Sequence, residues 1–158
     1  MHPTAQKVAA AAQTLGLDIT IKEFEASTRT AEDAAKAIGC TVGQIVKSLL
    51  FVVNNRPIIA LVSGENRLDE KKLAALCGVG RKKVMRADAE TAREATGFAI
   101  GGVPPFGHAT QLTTYIDEDF LQYEVIWAAA GTPNAVFAIT PQDLIQATQG
   151  LVSSLKSE

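Results

Sequence analysis

The spacing of apolar residues divides the chain into short helices and strands. Apolar positions at helical spacing predict a helix over residues 4–15. Residues 18–24 alternate between the two faces of an edge strand. The segments 47–53 and 57–63 are rich in Val, Ile and Leu and flank the turn Asn54-Asn55-Arg56, so they predict an antiparallel hairpin in the core.

Capping residues predict the remaining helices. The clearest start is Thr140-Pro141-Gln142-Asp143, with an N-cap threonine, a proline in the first turn and an acid at the third position. The last eight residues are expected to fray. Helices are predicted over 30–38, 69–76, 88–96 and 140–148, a single turn at 41–44, and strands at 82–86, 112–117, 124–130 and 136–139.

Short helices interleaved with six or seven short strands indicate the α/β class in its α+β form, with a mixed sheet rather than a regular βαβ repeat. The 158 residues, 47% of them apolar, predict a single domain over residues 1–158 with a core at about 4–150. No apolar run is long enough to span a bilayer, and residues 1–17 do not read as a signal peptide, so a soluble, cytoplasmic protein without membrane contact is expected.

Metal chemistry has little support in the sequence. Cys40 and Cys77 form no CxxC pair, and His2 and His108 are the only histidines. The predictions are therefore two free thiols and no transition-metal site.

Charge is distributed unevenly along the chain. Residues 67–86 carry seven basic and two acidic residues, whereas residues 87–158 carry two basic and nine acidic ones. A basic segment on an acidic protein suits a short phosphate-bearing partner better than a long duplex, so sequence-specific DNA binding is not expected. A solvated surface would explain the same charges. The candidate phosphate-binding residues are Arg81, Lys82, Lys83 and Arg86.

The segment 97–107 contains four glycines and two prolines, so it is no regular element. Gly101-Gly102 lets the backbone approach a ligand closely, and Pro104-Pro105 makes the loop rigid. Such a loop can hold an oxyanion or a ribose with backbone amides. A tight structural crossover is the alternative reading.

Lys47 is the only charged residue between Lys36 and Arg56, and it enters an apolar strand. Such a lysine either extends to the edge of the sheet or points at an anionic ligand. The sequence contains no GxSxG, HExxH, GxGxxG or P-loop motif. An enzyme built on this chain would work by positioning and backbone donors.

Taken together, these segments resemble the YbaK/prolyl-tRNA synthetase editing-domain family over roughly residues 4–150. The lysine before an apolar strand and the Gly-xxx-Pro loop about fifty residues later are its specific features. The resemblance rests on Thr30-Ala31-Glu32-Asp33-Ala34-Ala35, Gln44-Ile45-Val46-Lys47-Ser48-Leu49, Leu68-Asp69-x-x-Lys72-Leu73, the loop Thr96 to Gly107, and Ala130-Gly131 before a strand.

The resemblance implies a partly barrel-like, mostly antiparallel mixed sheet surrounded by short helices. It implies an aminoacyl-tRNA deacylase that acts in trans on mischarged tRNA, most often tRNA(Pro). Lys47 matches the family's functional lysine, and Gly101 to Pro105 match its Gly-xxx-Pro loop. The expected partners are the tRNA acceptor end and a prolyl-tRNA synthetase, with no metal or cofactor.

The chemistry assigns expected roles to these residues. Hydrolysis of an aminoacyl ester needs a positioned water, stabilisation of the oxyanion and a proton for the ribose oxygen. The amides of Gly101 and Gly102 would stabilise the oxyanion, Lys47 would hold a phosphate or the ribose, and a ribose hydroxyl would supply the proton. The residues expected to contact substrate are Ser48, Val103, Pro104, Pro105, Gly131, Thr132 and Asn134.

Amino-acid selectivity is expected to depend on Thr132 and Asn134. The run Ala128-Ala129-Ala130 departs from the Ser-Gly-Gly of the cysteine-specific branch, which favours alanine or another small residue as the group removed. Trp127 and Tyr123 would either stack on terminal bases or pack in the core. A non-catalytic module that binds tRNA or a synthetase remains the alternative function, and the sequence does not define the oligomeric state.

Overall fold

The computed structural model describes residues 1–158 and contains five α-helices and eight strands. The helices are α1 (Pro3–Thr14), α2 (Ala31–Ile38), α3 (Glu70–Cys77), α4 (Ala89–Thr96) and α5 (Pro141–Thr148). The strands are β1 (Ile21–Glu23), β2 (Val46–Val53), β3 (Arg56–Ser63), β4 (Val84–Arg86), β5 (Thr113–Asp117), β6 (Ile126–Ala129), β7 (Ala135–Ile139) and β8 (Leu151–Ser153). Short 3₁₀ helices cover Val42–Gln44, Arg81–Lys83 and Glu118–Gln122.

Side-chain caps explain where the helices begin. Thr30 accepts a hydrogen bond from the Asp33 amide at the start of α2, and Thr140 does the same for Asp143 at α5. These caps satisfy amides that have no partner within the helix. No helix has the length and apolar character needed to cross a membrane.

The strands form two sheets. The larger has the order β4-β2-β3-β5-β8 and the smaller the order β1-β7-β6. Pairing is antiparallel except for β3 with β5 and β5 with β8, so the predicted mixed, mostly antiparallel α/β fold is confirmed. The sheets meet at a single bridge between Ile45 and Trp127 and do not close into a barrel.

The core lies on both faces of the larger sheet because side chains alternate along β2 and β3. Val46, Leu50, Ile59 and Leu61 face a cluster shared with α1 and the smaller sheet. Phe51 and its neighbours on the other face pack against α3. Lys47 falls on the α3 face and Ser48 on the opposite one.

The C-terminus corrects one expectation. Residues beyond 150 do not fray, because β8 pairs in parallel with β5 and Leu155 is fully buried against the α3 side of the sheet. The sequence signal was weak because Leu151–Ser153 is only three residues long and has one buried position.

Candidate functional site

A cavity of about 450 Å³ opens where the two sheets diverge beyond the bridge from Ile45 to Trp127. One wall is the start of β2 and another is formed by β6 and β7. The start of α2 and the loop that follows α4 close the remaining sides. The residues that line it are Thr28 to Glu32, Ala34, Ile45 to Leu49, Gly64, Arg86, Ile100, Gly101, Val103, Trp127 to Ala129 and Val136.

The β2 wall is an open sheet edge. β4 pairs with β2 only over residues 51–53, and the Ala87 amide extends this contact to the carbonyl of Leu50. Backbone groups alternate in direction along a strand, so the N–H and C=O of Ser48 point the same way as the carbonyl of Leu50, away from β3. The hydroxyl of Ser48 is buried and has no hydrogen-bond partner.

Lys47 is half-buried between this cavity and a second hollow lined by β2 and the segment that follows β3. Its ammonium group donates a hydrogen bond to the carbonyl oxygen of Asn66, which leaves two N–H donors for a ligand. Burial lowers the pKa of Lys47 below its usual value, the charges of Glu32 and Asp117 raise it, and Arg86 lowers it further. Two nearby carboxylates thus partly offset the cost of burying this charge.

The loop that follows α4 reaches the cavity through Gly101 and Val103. The amide of Gly102 donates to the carbonyl of Ala99, whereas the amides of Gly101 and Val103 make no hydrogen bond within the chain. Gly101 has a φ of +100°, in the region that favours glycine, and a side chain there would meet the guanidinium of Arg29. Gly101 therefore places an unpaired backbone donor on the cavity wall.

Gly102 packs closely against the backbone of the loop between β6 and β7. A methyl group on it would lie 2.9 Å from the carbonyl carbon and oxygen of Gly131 and from the amide nitrogen of Thr132. The loop after α4 and the loop between β6 and β7 thus touch through their backbones, and only a residue without a side chain fits between them.

The loop between β6 and β7 is attached to the segment before α2. Asn134 donates to the carbonyl of Phe24 at 2.7 Å, and its side-chain oxygen accepts from the Thr132 hydroxyl at 3.0 Å. The amide of Thr28 donates to the carbonyl of Pro133 at 2.7 Å. These contacts use the polar groups of Thr132 and Asn134 within the protein.

Neither proline of the loop after α4 lines the cavity. Pro105 lines a separate hollow beside α1 together with His108. The Nε2 atom of His108 lies 2.7 Å from the carbonyl oxygen of Pro104. Burial lowers the pKa of His108, and the hydrogen bond to Pro104 opposes that shift. A neutral His108 with its proton on Nε2 donates to Pro104 and fixes the loop.

The structure therefore divides the site residues predicted from sequence into those that line the cavity and those that do not. Lys47, Ser48, Gly101, Val103 and Arg86 line one cavity. The others lie behind its wall or, for Arg81, Lys82 and Lys83, on the exposed turn before β4. The residues outside the cavity lining are Gly102, Pro104, Pro105, Gly131, Thr132, Asn134, Arg81, Lys82 and Lys83.

The two aromatic candidates also differ. Trp127 lines the cavity, and the ammonium group of Lys22 lies 5.1 Å from its ring centroid. Tyr123 packs against the main core cluster outside the cavity. Sequence reasoning did not assign Arg29 or Glu32 to the site, since a basic residue before a helix cap and an acid in the first turn of a helix are common surface features.

The sequence of residues 25–147 matches the family model described as the aminoacyl-tRNA editing domain. The chain belongs to this family. As an editing domain it is an enzyme of the aminoacyl-tRNA deacylase class, as the sequence resemblance implied.

Three similar proteins extend the comparison. A solved structure described as a "putative trans-editing enzyme for prolyl tRNA synthetase" has a TM-score of 0.94 and 48% identity, covering 100% of this editing domain and 99% of that chain. The "Putative Cys-tRNA(Pro)/Cys-tRNA(Cys) deacylase EbsC" of Enterococcus faecalis is 32% identical over 82% of this chain and 78% of its own length. The proline–tRNA ligase of Elusimicrobium minutum is 36% identical over 49% of this chain and 13% of the ligase.

Proposed function

We propose that this editing domain hydrolyses mischarged tRNA(Pro) in trans, removing alanine or another small residue. The observation that carries the proposal is that Lys47, with two free ammonium hydrogens, and Gly101, with an unpaired amide, line the same cavity. The names of the related trans-editing enzyme and proline–tRNA ligase support tRNA(Pro) and a prolyl-tRNA synthetase as partners.

In the proposed reaction, water adds to the ester carbon and the negative charge develops on the carbonyl oxygen. The amides of Gly101 and Val103 stabilise this oxyanion, a contribution of about 3–4 kcal/mol for one such donor. The bond to the ribose oxygen then breaks. The neighbouring ribose hydroxyl gives its proton to that oxygen and regains one from the attacking water. Lys47 holds the ribose or the phosphate of the terminal nucleotide.

The lining of the cavity supports a small amino acid. Ala128, Ala129 and Val136, which have short apolar side chains, are among the lining residues, and the Ser48 hydroxyl lacks a partner within the protein. A synthetase pocket discriminates between amino acids that differ by one methylene by only about 1–3 kcal/mol in binding free energy. A second enzyme that hydrolyses the wrongly charged tRNA therefore improves the accuracy of charging. Arg86 at the cavity and Lys82 and Lys83 on the adjoining turn offer charges for acceptor-stem phosphates.

The test is a deacylation panel with tRNA(Pro) charged separately with alanine, 2-aminobutyrate, serine, threonine, cysteine and proline. We expect release of alanine or 2-aminobutyrate, sparing of proline, and loss of turnover in Lys47→Ala. Lys36→Ala, which removes an exposed lysine from α2, is the matched control. Preferential release of cysteine would instead indicate the substrate in the name of EbsC, Cys-tRNA(Pro). No release from any substrate would leave a module that only binds tRNA.

A further inference from the structure

Asn66 lies on the turn that follows β3, beside the cavity lysine. Its amide donates to the carbonyl oxygen of Ser63 at 2.9 Å, which closes the turn. Its own carbonyl oxygen accepts the hydrogen bond from the ammonium group of Lys47. The backbone of Asn66 is thus the only hydrogen-bond partner that the protein gives to that ammonium group.

The side chain of Asn66 is held at two points. Its Nδ2 atom donates to Oδ2 of Asp117 at 2.9 Å and to Oδ2 of Asp119 at 2.8 Å. A side-chain amide has two N–H donors, and here both are used by carboxylates. Hydrogen bonds to charged acceptors are stronger than neutral ones, so the position of this side chain is strongly defined.

The two carboxylates are themselves fixed. Asp117 is 1% exposed, and its Oδ2 atom also accepts from the amide of Ser63 at 3.0 Å. Its Oδ1 atom accepts from the amide of Asp119 at 3.0 Å. The ammonium group of Lys156 lies 3.3 Å from Oδ2 of Asp119. The cluster therefore ties the end of β3 to the end of β5 and to the C-terminus.

We propose that Asn66 is a positioning residue, held between Asp117 and Asp119, whose carbonyl oxygen sets the place of the Lys47 ammonium group at the cavity. The long side chain of lysine has four rotatable bonds and does not define its own end point. The carbonyl of Asn66, held in place by the two carboxylates, restricts the motion of the ammonium group before the substrate binds. The inference rests on the proposed function, since it gives Lys47 its productive geometry.

A purely structural role makes a different prediction. If Asn66 served only to satisfy the buried Asp117, its replacement would lower stability, and any loss of rate would be the same whether or not Lys47 were present. If Asn66 acts through Lys47, its replacement has no further effect once Lys47 is gone. A double-mutant cycle separates the two cases.

The experiment measures single-turnover deacylation, with enzyme in excess, for the wild type, Asn66→Ala, Lys47→Ala and the double variant, well below their melting temperatures. We expect Asn66→Ala to lower the rate about 10- to 100-fold, because a displacement of about 1 Å in substrate positioning can cost up to about 100-fold. The double variant should then equal Lys47→Ala. Asn66→Asp, which has the same shape but no donor, should resemble Asn66→Ala. Asn55→Asp adds the same charge on the exposed β2–β3 turn and should leave the rate unchanged.

A second measurement needs no substrate. We expect the order parameter of the Lys47 Cε methylene, from NMR relaxation, to fall in Asn66→Ala to the value of the exposed Lys36. Equal rate losses with and without Lys47, or an ordered Lys47 in Asn66→Ala, would overturn the inference. If the wild type hydrolyses no aminoacyl-tRNA, the proposed function fails, and the order parameter still decides whether Asn66 positions Lys47.

Discussion

The side chain of Asn134 donates a hydrogen bond to the carbonyl oxygen of Phe24, a residue 110 positions earlier in the chain. Together with the hydrogen bond that Thr132 donates to its Oδ1 atom, this contact joins the loop between β6 and β7 to the segment that leads into α2. The segment before α2 lines the cavity, and β6 and β7, which flank the loop, form one of its walls. Side chains outside the cavity lining therefore help to hold its walls together.

Replacement of Asn134 by alanine should loosen this junction. A carbonyl and a hydroxyl would lose their partners, so we expect the free energy of unfolding to fall by about 1–3 kcal/mol. We also expect KM to rise as the segment before α2 moves. Thermal or urea unfolding and steady-state kinetics measure the two effects. Gln142→Ala, an exposed amide on α5, should change neither, and an unchanged melting temperature for Asn134→Ala would contradict the prediction.

Gly102→Ala should impair the protein where Gly80→Ala does not. The new methyl group at position 102 would lie 2.9 Å from backbone atoms of Gly131 and Thr132, which cannot move independently. We expect a loss of about 1–3 kcal/mol in stability, as for overpacked sites, and a lower turnover. A methyl group at Gly80 meets nothing within 4 Å, and φ there is −72°. Equal melting curves and rates for the two variants would show that the loops do not touch.

The pKa of Lys47 should lie below the usual value for a lysine. Burial disfavours its ammonium form, so the group should lose its proton at lower pH than an exposed lysine. Glu32→Gln removes a carboxylate that favours the charge and should lower this pKa further. NMR titration of the lysine Cε signals, with Lys47→Arg for assignment, gives the values. A pKa of Lys47 at the usual lysine value would refute the effect of burial.

His108 should make stability fall on acidification. Its pKa is lowered in the folded protein, whereas in the unfolded chain it lies at about 6.5. Below that pH the unfolded state binds more protons, so stability declines until the pH reaches the folded pKa. His108→Gln should remove this part of the decline. Urea unfolding at several pH values between 7.5 and 5 compares the two proteins, and identical slopes would contradict the prediction.

The exposed turn before β4 should affect tRNA binding and its salt dependence. Arg81 is already paired with Glu70 at 2.8 Å, whereas Lys82 and Lys83 make no ion pair. We expect Lys82→Ala/Lys83→Ala to weaken tRNA binding and to lower the slope of log K against log salt concentration by about 2, one for each phosphate contact. Binding titrations at several salt concentrations measure the slope, with Lys7→Ala/Lys36→Ala as the control. An unchanged slope for Lys82→Ala/Lys83→Ala would show that this turn does not contact tRNA.

Sequence patterns predicted the fold where local signals were strong. The hairpin of β2 and β3 and the capped start of α5 were evident because turn residues, apolar runs and caps act within a few positions. The short β8 and the 3₁₀ helix Glu118–Gln122 were missed. β8 depends on a partner far along the chain, since it is a strand only because β5 lies beside it.

The residues of the candidate site likewise differ in whether local sequence signals reveal them. Lys47 and Gly101 were visible because a lysine in an apolar strand and a glycine-rich loop are locally unusual. Asn66 and Asp117 were not, since an asparagine in a turn and an acid at a strand end are ordinary in sequence. Their importance comes from the 2.9 Å contact between them, across 51 positions of the chain.

The parallel pairing of β3 with β5 has a consequence for folding. The two strands are separated by about fifty residues, which contain the loop of Gly101, and the far wall of the cavity ends at Val136. Contacts between distant residues form slowly because a long loop must close first. During synthesis, the cavity therefore cannot be completed until the residues up to Val136 have left the ribosome. The contacts between β2 and β3 are local in the sequence, so they can form earlier than the contacts that close the cavity.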